Sequence, residues 1–541
     1  MNYLYLKYIL IGALIFSFLE MSCSQSSKKP DQADSLKIKE IQTIQGSFSV
    51  QSDLVFDSTQ ITLFFKKYPN IKSYENDIRK FYRRRSFSYA WFDDGALIEQ
   101  AGNLSSRIMN LEDDGIYKHL FYQKALDSLM YGVNETADQK KPDIMLELLL
   151  TSEYFIFSKL AWEGMNTSVS KSSKWYIPRK TIAYDLYLDS LLKTPLANEP
   201  VYRQYELLRG FLRKYRKLEE SGNWLPISSK KQLNLGDTSQ RISQIKKRLF
   251  NLGDYKGDTL NHSFSSELSS AIKSFQERNG LNSDGLLSKE TISELNTPLH
   301  DLIKKILVNM ERSRWLPLTL DGDYVAVNIP EFKLHVYHAD SLLWSCNAVV
   351  GKTVHPTTLF YGEIKYVVFS PYWNIPPGIL RNEVIPGMKK NPSYISKHNM
   401  EITGYKDGLP VVRQKPGPSN SLGLVKFLFP NSYNIYLHDT PSKSLFEESS
   451  RAFSHGCIRI EEPAKLAAFL LKDMDNWNSD NIYRAMHAGT ERYVTLKNKV
   501  PVFISYFTAF VDRSSKLNFR NDLYKLDDRL ASMIVAGVGV Y

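Results

Sequence analysis

The chain is poor in thiols: 541 residues hold only three cysteines, Cys23, Cys346 and Cys457, and no two stand in a CxxC pair. That excludes a disulfide framework and argues against a zinc cluster. Long apolar runs are also scarce. After residue 19 no stretch is apolar enough to span a bilayer. Acidic residues are outnumbered, 58 against 69 lysines and arginines, for a net charge of +11. The excess is spread along the chain, and no nucleic-acid-binding motif accompanies it. It fits an anionic partner such as a membrane surface or cell-wall polymer, and fits a solvated basic surface equally well. What remains is an ordinary globular balance, 43% hydrophobic and 23% charged, long enough for about three or four domains.

The rarity of cysteine makes each one worth explaining. Cys23 follows "YILIGALIFSFLEMS", an apolar core at 8–19 behind Lys7, and precedes a polar stretch. Residues 1–23 resemble a bacterial lipoprotein signal, in which Cys23 becomes the acylated N-terminus. Glu20 departs from that pattern, and an uncleaved signal anchor is the alternative. Either way the expectation is an exported, periplasmic chain tethered to a membrane. Residues 24–60 read as a flexible tether. Cys346 lies in a strand-like run and reads as a small buried apolar residue.

Residues 61–225 carry apolar residues at spacings of three and four, which predicts a helical scaffold. The basic run "RKFYRRR" (79–85) reads as a solvated face. Residues 233–297 form a compact unit. Ile242, Ile245 and Leu249 share one helical face, Leu268, Ile272 and Phe275 a second, and Ile292 and Leu295 open a third. With Asp237, "AIKSFQ" and "NGLNSDG", this unit resembles the three-helix peptidoglycan-binding domain. A connecting helix is expected within 298–320. From 321 to about 510 the chain turns β-branched, aromatic and partly alternating, with "HADS" (338–341) as a hairpin turn. Residues 511–541 are left as a C-terminal extension. The fold class is therefore multidomain α+β.

Cys457 stands in "FSHGCIRIEEP" (453–463). A catalytic thiol needs a base or a positive environment. Two histidines are at hand: His455, two residues earlier, and His438 at the end of the alternating "YNIYL". On an extended strand His455 and Cys457 would point to one side. Gly456 suits an unusual backbone angle or a close substrate approach. Arg459 could favour the thiolate. His-Gly-Cys alone leaves a metal, redox or nucleophile reading open.

"LHDTPSKSLFEESSRAFSHGCIRI" resembles the signature of the L,D-transpeptidases, with a YkuD-type catalytic domain. His438 and Cys457 stand nineteen residues apart, and Ser454-His455-Gly456-Cys457-Ile458-Arg459 follows the family order. Further stretches resemble the large branch in which a helical scaffold and a peptidoglycan-binding domain precede the catalytic domain. The resemblance implies that Cys457 is the nucleophile and His438 the general base and acid. It implies a positioning role for His455, an oxyanion hole from backbone amides at His455, Gly456 and Cys457, and support from Ser454 and Arg459. It implies a cap over the cleft at about 376–430, rich in Pro, Gly and Asn. Tyr372 and Trp373 read first as core aromatics, with the cleft as alternative. The implied reaction joins tetrapeptide stems of peptidoglycan through a thioester, with no metal or other cofactor. Water, a stem amine or a protein lysine could each resolve that thioester, giving an L,D-carboxypeptidase, a 3→3 cross-linking enzyme or a protein-anchoring enzyme. A catalytically dead wall-binding lipoprotein is the reading from another class.

Overall fold

The computed structural model describes residues 54–93, 95–131, 142–193, 199–229, 233–317 and 321–536. The described residues belong to one compact unit, Gln42–Tyr541. The expected signal, Cys23 and most of the tether lie outside them. Among them no helix is long and apolar enough to cross a membrane.

The scaffold is helical, as its periodicity predicts. Its central helix, Ile144–Ser158, begins where the Asp143 side chain accepts the Met145 N–H at 2.7 Å. From Leu146 to Ser158 it is buried on every side, which an apolar helix surrounded by neighbours should be. The basic run is a solvated face in part: Lys80, Arg83 and Arg84 are exposed, and several of its cations also pair with acids of a neighbouring helix. Arg84 and Arg85 pair with Asp189 at 3.2 and 3.3 Å, and Lys80 reaches Asp185 at 2.9 Å. Those acids sit on the helix Tyr184–Lys193, which the run holds in place.

The unit at 233–297 has the three expected helices, Gln240–Leu252, Ser266–Arg278 and Lys289–Leu295. A serine caps each one: Ser239, Ser265 and Ser288 accept backbone N–H groups. All eight residues read as helix faces are buried in its separate small core.

The connecting helix is more than a connector. It runs Leu299–Arg314 and is buried without a break from Ile306 to Arg314. Its charges are paired inside the protein: Glu311 holds Arg314 at 2.6 Å, and Arg312 holds Asp527 at 2.7 Å. Asp527 opens the C-terminal helix Asp527–Ala536, so the extension packs against the middle of the molecule. The extension also reaches the three-helix unit, where Arg278 donates to the Leu517 carbonyl at 3.2 Å.

The β-rich part is a closed ring of eight strands. In order these are Val425–Leu428, Leu437–His438, Ile458–Ile460, Ser341–Gly351, Lys333–His338, Asp323–Asn328, Arg492–Ser505 and Leu359–Phe369, which pairs again with Val425–Leu428. Closure leaves few free strand edges. The remaining edge of Leu359–Phe369 is taken by Trp175–Tyr176 from the scaffold, in parallel register. Trp175 then packs edge-on against Trp315, ring centroids 5.6 Å apart. Cys346 is buried in its strand, as expected.

Strands Met400–Lys406 and Leu409–Gln414 of the expected cap form a separate sheet with Trp373–Asn374, which stands just before it. Short helical turns and a core of Leu380, Val384, Met400 and Val412 accompany it. Val425–Leu428, inside the same span, belongs to the ring instead. Val425 and Phe427 are buried there between two partner strands.

Candidate active site

Cys457 sits at a corner. The strand Ala452–Ser454 runs parallel to Ser341–Gly351, and Ile458–Ile460 returns antiparallel to the same strand. Residues 455–457 form the bend between them. The extended geometry expected for His455 and Cys457 is therefore replaced by a turn, and the two side chains part. Gly456 makes the turn with φ +117°. A Cβ there would meet only the Pro356 carbonyl, at an unstrained 4.0 Å, so it is backbone angle and not crowding that calls for glycine.

The corner is stapled from inside. Buried Ser454 accepts the Gly456 N–H at 3.0 Å and donates its hydroxyl to the Cys457 carbonyl at 2.5 Å. Thr357 donates to the Gly456 carbonyl at 2.8 Å and accepts the Gly351 N–H at 2.9 Å. Tyr524 donates to the Gly351 carbonyl at 2.8 Å. The Gly456 amide is thus engaged, and does not stand ready as the oxyanion donor expected of it. That leaves His455 and Cys457 among the three expected amides.

His438 lies on the neighbouring strand, in parallel register with Arg459. The His438 ring is buried, with Nδ1 2.5 Å from the Asp439 carbonyl. A carbonyl only accepts, so Nδ1 carries the proton and Nε2 keeps a lone pair. Burial lowers the His438 pKa to about 3, helped by the Arg459 charge and opposed by backbone carbonyls. The imidazole is neutral at pH 7.

The Cys457 thiol points to the Asn434 carbonyl at 3.6 Å and shares a hydrogen bond with the Tyr436 side chain. Tyr436 meets both groups: it hydrogen-bonds the thiol, and its ring centroid lies 5.7 Å from that of His438. It also accepts a hydrogen bond from the Trp373 indole. Burial pushes the Cys457 thiol above its ordinary value, against hydrogen bonds from Tyr436 and the charge of Arg459. The Arg459 Nε is buried without a hydrogen-bond partner among the described residues. His455 faces the cap: its Nε2 lies 3.5 Å from Glu383 Oε1, and its ring centroid 5.2 Å from that of His355.

Trp373 and Tyr372 are half-buried rather than core residues. Trp373 packs against the cap core, and the Arg413 guanidinium covers the Tyr372 ring at 3.9 Å. Sequence reasoning missed Tyr436, Thr357, Tyr524 and Glu383. For Tyr436 the alternating "YNIYLH" held a signal: it stands two residues before His438, which on an extended strand would put both on one face.

A protonated thiol and a neutral imidazole are not a resting ion pair. Alkylation of Cys457 by iodoacetamide should therefore keep accelerating as pH rises through about 8.5, the ordinary thiol value. Rates from peptide mass spectra, with buried Cys346 as internal control, test this. A plateau below neutral pH would show that a thiolate is already formed.

These residues now have a context. Residues 322–502 match the L,D-transpeptidase catalytic domain family, YkuD. Residues 76–212 match the family described as "Scaffold domain", and residues 238–295 the "Putative peptidoglycan binding domain". A curated protein from Haemophilus influenzae, "Putative L,D-transpeptidase", is 31% identical over 246 residues, 42% of this chain and 49% of that protein. The chain thus spans about half the length of that relative. Two solved structures also overlap in part. The L,D-transpeptidase from Xylanimonas cellulosilytica (residues 123–326) is 14% identical, covering 51% of this chain and 99% of that one, with TM-score 0.18. L,D-transpeptidase 1 from Mycobacterium tuberculosis is 14% identical, covering 34% and 62%, with TM-score 0.16. Cys457, His438 and the cap all fall inside the residues matched to the L,D-transpeptidase catalytic domain family, and the three helices from Gln240 to Leu295 inside the match to the peptidoglycan-binding family.

Proposed function

We propose that this chain is a peptidoglycan L,D-transpeptidase that uses Cys457 as its nucleophile. The observation that carries the reading is the half-buried thiol at a strand corner, linked through the Tyr436 side chain to a neutral imidazole on the neighbouring strand whose Nε2 can accept a proton. The thiol turns from the Asn434 carbonyl toward His438 and attacks the amide between the third residue and the terminal D-Ala of a tetrapeptide stem. Its proton passes to His438 Nε2. The imidazolium returns that proton to the leaving D-Ala amine as the C–N bond breaks. The product is a thioester. A side-chain amine of a second stem then attacks, loses its proton to His438, and expels the Cys457 thiolate, which is reprotonated. One amide is broken and one formed, so no external energy source is required. Amides at His455 and Cys457 face the developing oxyanion, and Arg459 favours the thiolate. The sequence adds an inference of export and of a membrane tether through lipidated Cys23.

The test is a product spectrum. The chain without residues 1–23 is incubated with a disaccharide-tetrapeptide, beside Cys457→Ala. The expected product is a dimer lighter than two substrates by one D-Ala, absent with Cys457→Ala. Tripeptide monomer alone would replace the amine acceptor by water. The dimer persisting in Cys457→Ala would overturn the assignment of the nucleophile.

A further inference from the structure

The scaffold contains a second site of ligand size. A cavity of about 710 Å³ lies between residues 70–74, 118–121 and 156–181, away from Cys457. That volume is in the range of small-molecule sites. Its ionisable lining is unbalanced: Lys118, Lys159, Arg179 and Lys180, with His119, against the single carboxylate of Glu163. Arg179 is committed to the Met165 and Glu163 carbonyls. Lys180 is not committed. Its Nζ is buried and has no hydrogen-bond partner among the described residues.

The surroundings make Lys180 worse off. Arg179 beside it and Arg314 on the buried helix Leu299–Arg314 repel it, and Glu163 alone attracts it. Burial first, then these two cations, lower its pKa to about 7. A buried ammonium with no partner costs stability, and a methionine of similar length would avoid that cost. Such a group is explained if a ligand supplies the missing anion. The wall beside it is irregular as well. Lys159–Glu163 is a single π-helical turn, a form concentrated at functional sites. It ends at Gly164, with φ +70°, where a Cβ would overlap the Glu311 carboxylate.

We propose that this scaffold cavity binds a small oxyanionic ligand, the carboxylates of an acidic peptide or a phosphate, with Lys180 at its floor and Lys159 at its rim. Neither the L,D-transpeptidase match nor the chemistry at Cys457 assigns such a site. The anion completes the pairing that Lys180 lacks and holds it protonated, so binding takes up a proton near neutral pH. Affinity accordingly falls as pH rises from about 6 to about 8.

The experiment is calorimetric titration of the full chain carrying Cys457→Ala, in detergent, so that no turnover at the thiol contributes. One arm uses an acidic tetrapeptide stem and the other inorganic pyrophosphate. Binding in either arm, with proton uptake in buffers of different ionisation heat, supports the site and identifies its source. Lys180→Met should weaken that binding by about tenfold or more, while the melting temperature of the unliganded protein holds or rises. Lys159→Gln, at an exposed position that leaves the fold intact, should weaken it severalfold. No binding in either arm overturns the proposal. So does binding that is unchanged in both variants, which would also place a stem peptide elsewhere, on the cleft or the three-helix unit.

Discussion

His438→Ala should slow acylation of Cys457 by about 10²–10⁴-fold, the range for loss of a positioned general base. The expectation rests on two opposed displacements. The His438 pKa lies near 3, so the ring is ready to accept a proton, and the thiol lies above its usual value, so a proton must be removed. Little reaction can proceed through thiolate already present at neutral pH. The readout is the rate at which a carbapenem adds its mass to Cys457. The gap between His438→Ala and the parent should narrow as pH rises, because hydroxide then does the work of the imidazole. Equal rates within threefold at pH 7 would remove His438 from the mechanism. The same group destabilises the fold in acid. Its folded pKa is below the unfolded value of 6.5, so the unfolded chain binds the extra proton. The stability it contributes is complete above 6.5 and is lost as pH falls from there toward 3.

Glu311→Ala should destabilise the protein by about 3–5 kcal/mol, the cost of leaving a buried charge without its partner. Glu311 is fully buried and accepts from three groups: the Met165 N–H at 2.6 Å, the Trp315 indole at 2.9 Å and Arg314 at 2.6 Å. Its removal strands a guanidinium and two N–H donors inside the protein. The damage should spread, because Trp315 packs against Trp175 of the strand that the scaffold adds to the β-ring, and Trp175 packs against Phe507. Denaturant unfolding followed by tryptophan fluorescence measures this. A midpoint unchanged from the parent would mean that scaffold and β-ring do not depend on this carboxylate.

How much of this was legible in the sequence varied with the range of the interaction. The faces of the three-helix unit were readable because Ile242, Ile245 and Leu249 repeat at helical spacing within one element. Cys457 and His438 were readable because they sit in a short motif of fixed order. The helix Leu299–Arg314 was not. Glu311, Arg312 and Arg314 look like a solvent face, and only their partners Asp527, Met165 and Ala161, far away in the chain, make them interior residues. The corner at Gly456 needs Thr357, ninety-nine residues away, and Tyr524 behind it. No local pattern encodes such pairs. The bend at 455–457 was missed for another reason. Flanking strand-like residues extend the alternating pattern across it, and the positive φ of Gly456 breaks it. Strand Val425–Leu428 was hidden inside a Pro- and Gly-rich span, where four residues carry too little periodicity to stand out.

The burial that raises the Cys457 thiol also bears on its survival. Peroxide and disulfides react with thiolate, and a cysteine stored as thiol enters the ladder from sulfenic to sulfonic acid slowly. Cys346, the other cysteine among the described residues, is buried in its strand with a pKa pushed up to about 11, out of reach as a disulfide partner. In the proposed reaction Cys457 gives up its proton to His438, so between turnovers near neutral pH the sulfur rests as a thiol and stays reduced. The corner that slows its resting reactivity protects it against oxidants.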